Sequence, residues 1–279
     1  MTRRVESSGM SSDTPATSTR ETIETDRTGY VGRITLSRPD AMNTFSTQLA
    51  QELDDALGEL DEDPNVRAII VDGAGDVFSA GIDISEHADH ESKDAYREWV
   101  ARMEEPFHTV VEMRTPVVAA VHGHAAANGL GLVAACDLAV AAEGTKFGAT
   151  APKVGLFCMG PAVPLMSSIT RKRYNELLLT GELIDAETAR DWGLINRVAP
   201  EGEHVDRALE FVEPMVEKSP VGIQMGKEAV TTMAELPYHE AIEYSNEQFA
   251  ELCRTDDARE GIRAFLDGEP LGAEEWPGE

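Results

Sequence analysis

Apolar positions recur along this chain with two different periods, and the period predicts the element. "YVGRITLSRP" (30–39) is a β-branched, apolar run that stops at a proline, and it predicts a strand. In "STQLAQELDDALGELDED" (46–63) Leu49, Leu53, Leu57 and Leu60 fall on one helical face behind a Ser/Thr start. "VRAIIVDG" (66–73), "TPVVAAVHG" (115–123) and "LAVAAEG" (138–144) read as buried strands. "ESKDAYREWVARMEEPFHTVVEM" (91–113) predicts a second amphipathic helix, and "NGLGLVAACD" (128–137) a short one. Past Pro200 the strand signals stop. The segments 204–219, 221–234, 238–254 and 256–268 all predict helices.

Alternating strands and helices predict an α/β core with parallel pairing. The expected organisation is a flexible Ser/Thr-rich tail over 1–26, a core over 27–205 and a helical region over 206–279. No short internal repeat is evident, and the 279 residues suffice for one large domain with an appendage.

The charge changes the picture of partners more than of fold. The formal net charge is −27, with lysine only at 93, 146, 153, 172, 218 and 227. Such a chain repels itself in dilute salt and tolerates concentrated salt. We expect adaptation to a salt-rich cytoplasm, and no binding to nucleic acid or anionic membrane. Cys136, Cys158 and Cys253 are far apart and odd in number. That predicts a reducing, cytoplasmic compartment, with no disulfide framework and no metal site. No apolar run has the length of a membrane span, and the N-terminus lacks the apolar centre of a signal peptide.

Two Gly/Ala loops stand out chemically. "FSAGIDI" (78–84) and "GHAAANGLG" (123–131) each follow an apolar strand, and the second runs directly into a helix. Small residues let a backbone approach a ligand closely, and a helix start offers unpaired N–H groups. Two such loops side by side could aim two N–H groups at one developing oxyanion. Taken alone, such loops are also ordinary turns.

The order and spacing of several segments resemble the crotonase, or enoyl-CoA hydratase/isomerase, superfamily. They are "ITLSRPDAMNTF", "VRAIIVDGAGDVFSAGIDISE", "PVVAAVHGHAAANGLGLVAACDLAVAAE", "KFGATAPKVGLF", "LLLTGELIDAETARDWGLINRV" and "TDDAREGIRAFLDG", spanning residues 30–268. The segment "GLFC" resembles most the branch of enoyl-CoA hydratase domain-containing proteins. The resemblance implies a spiral of β-β-α turns, a C-terminal helical trimerisation region, and an assembly that is a homotrimer or dimer of trimers. It implies an acyl-CoA thioester as substrate and no cofactor beyond the coenzyme A that the substrate carries. Carried over by position, the oxyanion-hole N–H groups are those of Ile82 and Asn128. Ala41, Ala80 and Gly81 fall where the family packs coenzyme A, with Asp83 and His124 beside the acyl site.

The same resemblance exposes a gap. Hydratases of this family use two glutamates, and the matching positions are Gly131 and Ala151. A later isomerase position falls near Met159, which is also not titratable. Adding water to a conjugated double bond needs a base for water and an acid for carbon. True hydration is therefore doubtful, and a non-catalytic acyl-CoA-binding or protein-interaction role stands as the alternative. Asp83, Asp137, His122, His124, Lys153 and Cys158 are the nearby groups that could replace the glutamates, each with a competing structural role. Restoring Glu at 131 and 151 together is expected to give hydratase activity if the pocket geometry is retained.

Overall fold

The computed structural model describes residues 20–279. Most of the expected tail, residues 1–19, lies outside them. Its end is corrected, because strand β1 (Ile23–Thr28) pairs antiparallel with β2 (Val31–Leu36), with Ile23 opposite Leu36 and buried. Helix α1 (Thr47–Glu62) follows, capped by Ser46, whose hydroxyl accepts from the Leu49 N–H. Strand β3 (Ala68–Gly73) leads through a 3-10 turn (Ile84–Asp89) to helix α2 (Lys93–Glu112), capped in the same way by Ser92. Next come β4 (Val117–Val121), β5 (His124–Ala126), α3 (Asn128–Ala135), β6 (Leu138–Ala142) and β7 (Lys146–Gly148). Helices α4 (Met159–Ser168) and α5 (Arg171–Thr180), strand β8 (Leu183–Asp185), helix α6 (Ala186–Trp192) and strand β9 (Arg197–Ala199) complete the α/β part. The chain ends in α7 (His204–Val216), α8 (Pro220–Glu235), α9 (Tyr238–Leu252) and α10 (Asp256–Asp267).

The main sheet has the order β1-β2-β3-β4-β6-β9 and is parallel except at β1. Its central strands are apolar on both faces because each face has its own core. Ile69, Val71, Val117, Ala119 and Val121 face the larger core, while Ala68, Ile70, Val118, Ala120 and Val140 face the smaller. The smaller core is closed by Ala208 and Val212 of α7. That helix therefore covers the sheet, and the expected boundary at 205/206 falls at its start rather than after it. A second, smaller sheet, β5-β7-β8, is extended by single bridges Ser79–Ala125 and Phe45–Ile82. Each turn of chain thus runs from the main sheet to the small one and then into a helix, the β-β-α pattern expected. Among the described residues, no helix is long and apolar enough to cross a membrane.

Candidate functional site

The small sheet brings the two Gly/Ala loops into contact. At the Phe45–Ile82 bridge, the Phe45 N–H donates to Gly81 O at 2.7 Å and the Asp83 N–H donates to Phe45 O at 2.8 Å. Neighbouring residues of an extended chain direct their N–H groups to opposite sides. The Ile82 N–H consequently faces away from Phe45, toward the second loop. There the Ala127 N–H donates to Gly148 O at 2.9 Å. Ala127 itself adopts φ 46° and ψ −112°, a conformation that residues with a Cβ rarely take. This turn starts α3 at Asn128, whose N–H is the first of the helix and has no intrahelical partner.

Gly81, at φ +109°, is what lets the loops meet. A Cβ there would stand 2.7 Å from Ala127 Cβ and 3.5 Å from the Asn128 nitrogen. Neither the Ile82 nor the Asn128 N–H has an acceptor among the described residues. The Asn128 side chain turns away from the loop contact, and its Nδ2 donates to Met103 O on α2 at 3.3 Å.

Both residues line a cavity of about 590 Å3. Its walls are mainly apolar: Ile84, Tyr96, Trp99, Val100, Leu156, Phe157 and Met159. Trp99 is fixed by its indole N–H, which donates to Glu86 at 3.0 Å. The polar groups in the wall are few, among them Glu104, His87 and Cys158. An apolar cleft with a few convergent polar groups suits a substrate with a hydrocarbon part and one reactive centre.

The expected site residues separate into groups. Ala151 lines the cavity, and its methyl group offers no proton. Ala41, Ala80 and Gly81 are not in the cavity lining; Ala80 and Gly81 precede the lining residue Ile82, and Ala41 precedes Met42, whose O accepts from the Ala80 N–H at 3.0 Å. Asp83 is taken up structurally. It accepts from Ser85 and pairs with Arg38 at 3.0 Å. Burial pushes its carboxyl up, but the bonds from Ser85 and Arg38 outweigh this and hold it below the usual range. His124 does not line the cavity. It sits in β5 opposite Lys146, and β5 alternation turns Ala125 into the core instead. Burial, with His122 nearby, lowers its pKa and favours the neutral ring.

Lys153 is exposed and pairs with Glu182, and Asp137 binds Lys227 at 2.8 Å and the Val117 N–H at 2.7 Å. His122 Nε2 bonds Gly75 O and its ring stacks on His204. Cys158 does reach the cavity, but burial pushes its thiol up, so it is not a poised thiolate. Gly131 is covered over: a Cβ there would meet the Phe107 ring at 2.9 Å and Pro161 Cα at 3.0 Å.

Sequence reasoning missed Glu104. It is the carboxylate of the cavity wall, presented by α2 one turn after Val100 and two turns after Tyr96. The signal was present as an acidic residue on the edge of the apolar stripe formed by Trp99, Met103 and Phe107.

Residues 26–271 match the enoyl-CoA hydratase/isomerase family. A relative from Mycobacterium bovis, described as a probable enoyl-CoA hydratase, is 36% identical over 250 residues, covering 89% of this chain and 96% of its own. The crystal structure of an enoyl-CoA hydratase from Mycobacterium smegmatis superposes with a TM-score of 0.88 at 34% identity, covering 92% of this chain and 99% of that one. The human enoyl-CoA hydratase domain-containing protein 3 superposes with a TM-score of 0.86 at 28% identity, covering 90% and 99%.

Proposed function

The chain belongs to the enoyl-CoA hydratase/isomerase family, and from that premise we propose that it binds an acyl-CoA thioester and acts on it through a backbone oxyanion hole. The thioester carbonyl sits between the Ile82 and Asn128 N–H groups, and the acyl chain enters the cavity behind them. The observation that carries this reading is the pair of N–H groups without acceptors, on two loops that touch at Gly81 and Ala127 beside one mainly apolar cavity. Such donors lower the cost of forming an enolate-like oxyanion in a mainly apolar site. Coenzyme A lies along Ala41 and Ala80, and no cofactor beyond it is required.

Two-glutamate hydration is not part of the proposal. Position 151 is alanine, and position 131 is a glycine roofed by Phe107. The same observation favours one second reading, that the thioester is bound without being converted. Self-assembly as a homotrimer or dimer of trimers is supported by the apolar Val230, Ile242 and Phe249 exposed on α8 and α9. Sedimentation of the purified chain tests it.

The test of binding is calorimetric titration with butyryl-CoA and crotonyl-CoA in concentrated KCl. One saturable site per chain is expected, and absence of binding by both overturns the proposal. Following the enoyl-thioester absorbance of crotonyl-CoA then separates the readings. Rapid loss to the hydrated product would show that the missing glutamates are not needed.

A further inference from the structure

The proposed site lacks a proton carrier at both positions where its relatives are expected to hold one. The geometry points to Glu104 as the group that carries the proton, working from the α2 wall of the cavity that Ile82 and Asn128 also line. This inference rests on the acyl-CoA reading above and names the chemistry of that same site.

Three independent observations converge on Glu104. It faces the cavity at helical spacing with Tyr96 and Val100. It has neither an ion pair nor a hydrogen bond among the described residues. Nearby carboxylates differ in this respect: Asp83 is bound by Arg38 and Ser85, and Glu86 by Thr47 and Trp99. Finally, the fold makes room for it. At Gly160, in the first turn of α4, an added Cβ would collide with Glu104 Oε1. The helix turn bearing Glu104 is also tied to the oxyanion hole, because the preceding residue, Met103, accepts the Asn128 Nδ2 bond.

The charged surroundings leave this carboxylate free to cycle. Burial pushes its pKa up, and His108, one turn further along α2, pulls it partly back. His87 faces the same cavity from the 3-10 turn, and the Cys158 thiol there stays protonated because burial raises its pKa. Helices α3 and α4 contribute no titratable side chain. A carboxylate raised toward neutrality is a better proton acceptor than an ordinary one.

A single carboxylate can complete a proton shift but not a hydration. Glu104 removes a proton from the α-carbon of a β,γ-unsaturated acyl thioester. The C–H electron pair moves toward the carbonyl, and the oxygen takes the negative charge against the Ile82 and Asn128 N–H groups. The protonated Glu104 then returns its proton to the γ-carbon, and the double bond moves into conjugation with the thioester. Protons and electrons balance within substrate and side chain, with no water added and no oxidant needed.

The test uses the full chain in concentrated KCl, with butyryl-CoA for binding and 3-hexenoyl-CoA for turnover. Exchange of the butyryl-CoA α-protons in D2O, followed by NMR, reads proton abstraction alone. We expect Glu104→Gln to bind butyryl-CoA within about threefold of the parent chain and to lose about a hundredfold or more of exchange and isomerisation. Gly160→Ala keeps the carboxylate but displaces it, and should lose most of both activities with the fold intact. Glu104→Asp should recover part of what Gln loses. The acid limb of the parent pH profile should lie above the ordinary carboxylate range and vanish from the residual activity of the Gln variant. A parent chain that binds butyryl-CoA yet neither exchanges nor isomerises overturns the role of Glu104 alone. Retention of more than about a tenth of the parent rate by the Gln variant does the same. A parent chain that binds no acyl-CoA overturns the underlying reading as well.

Discussion

The Phe107 ring lies over Gly131 so closely that any side chain begun at that glycine would meet Cε2 and Cζ at 2.9 Å. Phe107 is not free to yield. It is 6% exposed and makes an edge contact with Phe45, whose ring centroid is 6.2 Å away, while Pro161 Cα closes the other side. The space that a glutamate would need at position 131 is therefore filled with core.

This decides what restoring the glutamates does. Gly131→Glu should lose about 1–3 kcal/mol through overpacking, with a further cost for burying its carboxylate. Ala151→Glu should fold normally, because Ala151 already faces the cavity. The double variant should melt lower than the parent and show no gain of crotonyl-CoA hydration. Adding Phe107→Ala to it opens the space and should recover part of the lost stability. Thermal melts and the enoyl-thioester absorbance check both, and a stable double variant that hydrates crotonyl-CoA would refute the packing argument.

Gly81→Ala tests the proposed oxyanion hole through the backbone, at a residue outside the cavity lining. Alanine at φ +109° is strained, and its Cβ would meet Ala127 Cβ at 2.7 Å, so the two loops must part. Misaligned donors cost most where charge develops. Turnover or α-proton exchange should fall about a hundredfold to a thousandfold, with a smaller loss in acyl-CoA affinity. A variant that keeps the parent exchange rate would remove Ile82 and Asn128 from the chemistry.

The contrast between these two glycines and Glu104 shows what was legible in the sequence. Helices α1 and α2 and strands β3 and β4 were readable because ten or more residues, or an unbroken apolar run, carried the period. Strands β5, β7 and β8 have three residues each, too few for any period to register. His124 belongs to one of them, β5, and is not among the cavity-lining residues. The meeting of the two loops at Gly81 and Ala127 was legible because their Gly/Ala composition lets the backbones approach. Glu104 was not, since "RMEEPF" looks like the polar edge of any amphipathic helix. Its meaning depends on Gly160, which is 56 positions away (160 − 104) and reaches it only through folding.

The His122–His204 stack predicts a pH dependence of stability. The ring centroids are 4.7 Å apart, and both Nδ1 atoms are buried without a partner. Burial lowers the His204 pKa, His122 and Arg33 lower it further, and Asp72 and Asp206 oppose them. A histidine whose folded pKa lies below its unfolded value, about 6.5, binds its proton more readily when unfolded. Its contribution to stability is therefore complete above that value and is lost as pH falls through it toward the folded pKa. His204→Phe should flatten the fall in melting temperature on the acid side of neutrality while leaving the alkaline side unchanged. An unaltered acid slope in the variant would show that other groups control it.

Charge should make the folded state depend on salt. The formal net charge of −27 is not relieved by the surface ion pairs, many of which join an arginine to an acid three positions away, as in Arg254–Glu251, Arg259–Asp256 and Arg263–Glu260. Those pairs are exposed, and each adds little stability. The remaining carboxylates repel one another across the helices of the surface, and the compact state holds them closer than the unfolded chain does. Raising KCl from about 0.1 M to about 1 M shortens the screening length from ~10 Å to ~3 Å, which removes most repulsion between neighbouring helices. The melting temperature should rise steeply over that interval and continue upward more slowly beyond it. Sucrose, which favours compact states by exclusion but screens no charge, should not reproduce the steep part. A flat or falling melting temperature in KCl would sink the expectation of a salt-adapted chain and leave its acidity without a stabilising role for salt.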